Sequence, residues 1–174
     1  MPKTNRLPLY VYNGGFLTQK PVRRILSLAG YDIRLGAPDQ DGYVGVWGKS
    51  PTSPRGERVA ERRGAGLVRI EDSFLRSVQL GRDGADPIGL LIDHNGVHFD
   101  PATPSDLERL LAEHPLDDTA LLDRARRGID WLKQAQLSKY NAFDLAIAPP
   151  PLATCWSSTK AATTRQLPQA AAMR

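Results

Sequence analysis

Apolar positions along this chain fall into short runs separated by stretches with helical spacing, and that alternation predicts a mostly parallel α/β sheet. Leu9–Tyr12 reads as a first strand, broken by Asn13-Gly14-Gly15. Val22, Ile25, Leu26 and Ala29 then repeat at helical spacing until Gly30. Tyr31, Ile33 and Leu35 alternate as a second strand, and Tyr43–Trp47 forms a third. A loop over 48–54 leads into a short charged helix from Arg55 to Arg63. Gly64-Ala65-Gly66 stops it, and Leu67–Ile70 is the fourth strand.

The second half is read in the same way. Ile88–Ile92 and Val97–Phe99 flank Asp93-His94-Asn95-Gly96, and the Asn-Gly pair predicts a β-hairpin. Thr103 is placed to cap a helix with Pro104 at its first position, and Leu107, Leu110 and Leu111 supply its buried stripe. A longer helix is expected from about Asp118 to Leu137, with Leu121, Leu122, Ala125, Ile129 and Leu132 on the covered side. Ser138-Lys139-Tyr140-Asn141 follows as a polar loop.

Length and composition fit this picture. A chain of 174 residues with 41% hydrophobic content is one domain able to bury a core. No stretch approaches the roughly 18 apolar residues of a membrane span, and no secretory signal is evident. The single cysteine, Cys155, excludes an internal disulfide, and a cytoplasmic location is expected. All 19 acidic residues lie at or before Asp144, where they face 20 basic ones, so the basic character belongs to the end of the chain. Arg62-Arg63 and Arg126-Arg127 sit in helical patterns beside acids and without interleaved aromatics, as solvated faces do. No nucleic-acid partner is expected.

Candidate chemistry concentrates between Leu67 and Ser77. An apolar run ends in Glu71 and Asp72, followed by Arg76 between hydroxyl residues. Carboxylates at the carboxyl end of a parallel strand sit where open α/β sheets present ligand-binding groups. With a guanidinium nearby they suit a polyhydroxylated, acidic substrate; the bland reading is a strand-end ion pair. Asn13-Gly14-Gly15 lacks the spacing of a dinucleotide or phosphate-binding loop and reads as a turn. His94 and His98 stand four apart but flank the expected hairpin turn and have no obvious carboxylate partner, and His114 lies far from both in the chain, so no metal is expected. Ser50, Ser53 and Ser73 lack a nucleophile elbow. Trp47 reads as edge core more readily than as a sugar-stacking platform.

Taken in order, Val46-Trp47-Gly48-Lys49-Ser50-Pro51, Arg69-Ile70-Glu71-Asp72-Ser73-Phe74-Leu75-Arg76-Ser77, Leu80-Gly81, Gly89-Leu90-Leu91-Ile92-Asp93 and Leu137-Ser138-Lys139-Tyr140-Asn141 resemble the KpsC-like capsule polysaccharide synthesis and export family. The resemblance covers residues 8 to 150. It implies a Rossmann-like sheet with flanking helices and a hairpin, the first domain of a GT-B-like module of a retaining β-Kdo transferase. The family's donor is CMP-Kdo and its acceptor a glycolipid of phosphatidylglycerol type at the cytoplasmic face of the inner membrane. Peripheral membrane association and contact with capsule export machinery follow from it, and no cofactor is implied. Carried onto this chain, Glu71, Asp72, Arg76 and Ser77, with Ser138, Lys139, Tyr140 and Asn141, would line the sugar-binding cleft. The family's nucleophile lies in an Asp-Gln-x-x-x-Asp-x-Ser-Val motif that this sequence lacks, so no catalytic residue is assigned.

Residues 151–174 change in texture: from 152 onward they hold no acid, six alanines and four threonines. Their composition suits a disordered tail. With G/C-leaning codons for Leu152 to Leu167, reading one base out of register yields an apolar strand followed by the missing motif. The expectation is a frameshift near Pro151 and a fragment inactive alone. A glycan- or lipid-binding module without turnover, and an unrelated nucleotide-sugar enzyme, are the alternatives.

Overall fold

The computed structural model describes residues 6–39 and 41–141. The expectations for residues 151–174 lie outside the described residues. Five strands form one sheet in the order β2-β1-β3-β4-β5. They are β1 (Leu7–Val11), β2 (Tyr31–Arg34), β3 (Tyr43–Trp47), β4 (Gly66–Asp72) and β5 (Leu90–Asp93). The first four pair in parallel, and β5 runs antiparallel to β4. The helices are α1 (Gly15–Thr18), α2 (Lys20–Leu28), α3 (Ser53–Arg63), α4 (Asp106–Glu113) and α5 (Thr119–Gln134). None is long and apolar enough to cross a membrane among the described residues.

Strand alternation divides the core into two layers. On one face Leu9, Val11, Val68 and Ile70 pack against Phe16 of α1 and Val22 and Leu26 of α2. On the other, Val44 and Val46 meet Ala60 of α3. Gly56 lets α3 sit close, because a Cβ there would lie 2.6 Å from Val46 Cγ1. Gly64, at φ 64°, ends α3 in the left-handed conformation that glycine adopts without penalty. Tyr12 Oη donates to Gly36 O at 2.7 Å and Tyr10 Oη to Asp39 Oδ2 at 3.2 Å. These two bonds hold the connection after β2 against the same face as α3.

Three expectations are corrected. The Asn95-Gly96 turn does not build a hairpin, since 97–99 is not a strand and β5 pairs with β4 instead. Buried Asp93 explains the diversion. Its Oδ1 accepts from the amides of Asn95 at 2.8 Å and Gly96 at 2.7 Å, and its Oδ2 accepts from Asp106 N at 2.8 Å, tying the chain to the start of α4. Second, α4 is capped by Ser105 rather than Thr103. Glu108 N donates to Ser105 Oγ at 3.2 Å while Ser105 N donates to Glu108 Oε2 at 2.9 Å, a reciprocal box that Thr103-Pro104 has no means to match. Third, the apolar stripes of α4 and α5 are not buried: Leu111 is 73% exposed, and neither helix contains a buried residue. Periodicity shows that a helix has an apolar face, not that a neighbour covers it.

Candidate functional site

β4 runs two residues further than its apolar stretch because Glu71 and Asp72 pair with Leu91 and Leu90 of β5. Neighbouring strand residues point to opposite faces, so the two acids do not act as a dyad. Asp72 lies on the α1/α2 side and Glu71 on the α3 side.

Asp72 enters a built polar cluster. Arg76 Nε forms an ion pair with Asp72 Oδ2 at 2.9 Å, while Arg76 Nη1 donates to Ser77 Oγ at 2.9 Å and Ala85 O at 2.7 Å. Arg76 and Ser77 are buried. A Cβ on Gly81 would overlap the guanidinium, so glycine at this position makes room for the arginine. Asp72 Oδ1 is buried with no hydrogen-bond partner among the described residues.

The loop after α5 docks on this cluster from more than sixty positions away. Lys139 O accepts from Arg76 N at 3.0 Å and Ser77 N at 3.3 Å, and Asn141 N donates to Val78 O at 2.9 Å. Ser77 and Tyr140 form a parallel bridge. Asn141 Nδ2 donates to Ser77 O at 3.3 Å, and its Oδ1 accepts from Ser138 N at 2.8 Å. Ser138 Oγ donates to Tyr140 O at 2.6 Å. The Arg76 and Ser77 side chains bond each other, and those of Ser138 and Asn141 bond backbone groups, so that the two loops are clamped together. Asp72, Arg76 and Tyr140 line a cleft of about 530 Å³ with Trp47, Gln19, Leu80 and Gly81. Lys139 Nζ lies 5.9 Å from the Tyr140 ring centroid, within cation–π reach.

Glu71 occupies a different setting beneath Gly48. Gly48 stands at φ 42°, and a Cβ there would overlap Glu71 Oε2. Its N donates to Ile70 O at 2.8 Å, and its O accepts from Arg69 Nη1 at 2.9 Å. Burial raises the Glu71 pKa above the ordinary carboxylate value, and the Asp72 charge adds to the rise. The Asp72 amide, Lys139 and His98 act in the opposite direction. Glu71 lines only a narrow space of about 60 Å³ with His98, Asp93 and Leu107.

The crevice between β1 and β3, where the strand order reverses, is closed by side chains. Asn13 Nδ2 donates to Thr52 Oγ1 at 2.9 Å, and Ser50 Oγ lies 2.9 Å from Thr52 Oγ1 and 3.1 Å from Ser53 Oγ. The Asp72–Arg76 cleft instead opens at the carboxyl ends of β3 and β4. Of the residues singled out in the sequence, Asp72, Arg76 and Tyr140 line this cleft; Gln19, for which the sequence carries no signal, lines it too. Trp47 serves both readings: its ring packs 5.7 Å from Phe16 and also lines the cleft.

The sequence profile of the capsule polysaccharide biosynthesis protein family matches residues 43–172. The chain belongs to that family. Among its curated relatives, the lipopolysaccharide-processing protein LpsZ of Rhizobium meliloti is 46% identical over 76 residues, covering 43% of this chain and 17% of LpsZ. The capsule polysaccharide modification protein LipA of Neisseria meningitidis serogroup A is 29% identical over 135 residues, covering 75% of this chain and 19% of LipA. The chain thus spans less than a fifth of the length of these relatives. The KpsC β-Kdo 2,4 transferase of Thermosulfurimonas dismutans superposes with a TM-score of 0.72 at 26% identity, covering 84% of this chain and 46% of that one. The β-Kdo 2,7 transferase of the same KpsC gives 0.53 at 25% identity, covering 73% and 43%. The shared family and fold remove the alternative of an unrelated nucleotide-sugar enzyme.

Proposed function

We propose that this chain supplies the first Rossmann-like domain of a GT-B-type β-Kdo transferase module in capsule polysaccharide synthesis. In this reading the Asp72–Arg76–Tyr140 cleft positions an acidic sugar. The observation that carries it is the docking of the 138–141 loop onto residues 76–78, just after β4, which brings Asp72, Tyr140 and Trp47 around one cleft. Asp72 lines the cleft and offers its carboxylate to a sugar hydroxyl, and Trp47 and Tyr140 offer ring surfaces. Arg76 is a positioning residue, since its ion pair and hydrogen bonds hold Asp72 and the loops.

In the complete module, a carboxylate would displace CMP from Kdo, and the acceptor hydroxyl would then displace the carboxylate with net retention. The chain contains no motif for that nucleophile, so it binds without turnover. CMP-Kdo and the glycolipid acceptor are partners of the complete module, which acts at the inner membrane with the export machinery. The open faces of α4 and α5 would pack against the rest of the module. The reading-frame shift near Pro151 belongs to the same proposal. The family profile matches through residue 172, and DNA sequence that holds no remnant of the missing motif downstream overturns the shift.

Titration of the purified chain with a methyl β-Kdo glycoside, followed by NMR, tests the site. The expected result is shifts at the Trp47 indole and Tyr140 ring that vanish in Asp72→Asn and Tyr140→Ala. Shifts confined elsewhere, or absent, overturn the assignment of the cleft. Kdo transfer from CMP-Kdo by this chain overturns the absence of turnover.

A further inference from the structure

A cleft of about 770 Å³ holds none of the groups assigned to the sugar site. It runs along α3, between that helix and the connection after β2. One wall is a single helical face carrying Arg55, Val59, Arg62 and Arg63; the other is Leu35-Gly36-Ala37. Tyr12 stands between them, anchored through its hydroxyl to Gly36 O. The volume lies in the range of small-molecule sites, roughly 300–1,000 Å³.

The charge of this cleft is one-sided. No Asp or Glu lines it, and no ion pair engages Arg55, Arg62 or Arg63 among the described residues. The same helix does pair its other side, where Glu57 meets Arg69 at 2.7 Å. Burial raises the Tyr12 pKa, while Arg63 and then Arg55 oppose the rise, so both guanidiniums act on one hydroxyl. Leu17, Leu35 and Val59 add apolar surface beside the cations. Arg62-Arg63, which the sequence presents as a solvated face, borders a concave wall.

We propose that the α3 cleft is a second ligand site, which takes a phosphate ester with an apolar or ring-shaped body. A phosphate group offers several oxygens to planar guanidinium donors, and its charge balances a cluster that has no carboxylate of its own. The body of the ester lies against Leu35, Val59 and the Tyr12 ring. The site is separate from the Asp72 cleft and does not depend on the sugar-binding reading.

Calorimetric titration of the purified chain with phenyl phosphate, and co-sedimentation with phosphatidylcholine vesicles containing phosphatidic acid, test the site and its source of phosphate. Each is repeated on Arg55→Gln/Arg63→Gln and on Arg124→Gln/Arg127→Gln, which removes equal charge from exposed positions on α5. The expected result is at least a tenfold loss of affinity in the first variant and less than a twofold change in the second. Binding of phenyl phosphate identifies a small phosphate ester as the ligand. Binding to the vesicles alone identifies a lipid headgroup. Absence of binding to both probes, or an equal loss in the two variants, overturns the proposal.

Discussion

Replacing Arg76 with Met removes the cation from a cluster that is largely sealed from water. The Arg76 side chain is 9% exposed and that of Asp72 17%, so screening by solvent relieves little of the loss. Breaking a buried ion pair by deleting one partner costs about 3–5 kcal/mol, because the other charge stays desolvated. Ser77 Oγ and Ala85 O also lose their donor. The opening beside Asp72 admits some water to the stranded carboxylate, which favours the lower part of the range, about 3 kcal/mol. That is a large share of a typical domain stability of about 5–15 kcal/mol. At roughly 3 °C per kcal/mol it lowers the melting temperature by about 10 °C. Urea denaturation followed by tryptophan fluorescence measures the change. The decisive comparison adds Asp72→Asn. With the stranded charge neutralised, Arg76→Met/Asp72→Asn should be less destabilised than the sum of the single variants by at least about 1 kcal/mol. A loss below about 1 kcal/mol for Arg76→Met, or strict additivity, would refute the claim that this pair is buried and coupled.

Two further outcomes follow from the site. Because the folded state raises the Glu71 pKa, folding favours the protonated form; its contribution is full below the ordinary value of 4.5 and is lost as pH rises through the raised one. Glu71→Gln should abolish that part of the pH dependence and melt no lower than the parent at pH 7, and an unchanged slope in melts across this window would contradict the assignment. Asn141→Ala should loosen the clamp between loops, so that hydrogen exchange at the Arg76 and Ser77 amides, both bonded to Lys139 O, accelerates while the Val68 amide in the core strand keeps its rate. Equal rates at Arg76 in the two proteins would show that Asn141 does not hold the loop.

Local patterns were legible wherever a segment's neighbours impose the same period as its own chemistry. Tyr43–Trp47 was bounded to the residue because its alternation is flanked by a turn on one side and Gly48 on the other. The α3 range was read two residues short, since Ser53-Pro54 resembles the preceding loop until Ser53 Oγ is seen donating to Trp47 O at 2.8 Å. The sequence supports a strand-end ion pair without naming its partners, which the structure gives as Asp72 and Arg76, and Tyr140 joins them only through the resemblance. The opposite facing of Glu71 and Asp72 is not legible in the sequence. Two charges after an apolar run look like the end of a strand, and only pairing with β5 extends it.

Taken alone, the chain settled what its own backbone and side chains decide over a few residues: a mostly parallel α/β order, the punctuation by glycines and the polar loop at 138–141. Tertiary structure decided everything that depends on distant partners. It turned an expected hairpin into a β4–β5 pair, left the leucines of α4 and α5 open, buried Arg76 under Gly81 and gathered three arginines around Tyr12. The physical reason is the range of the forces. Periodicity and turn chemistry act between neighbours in sequence, whereas desolvation and charge pairing depend on which surfaces the completed sheet brings together.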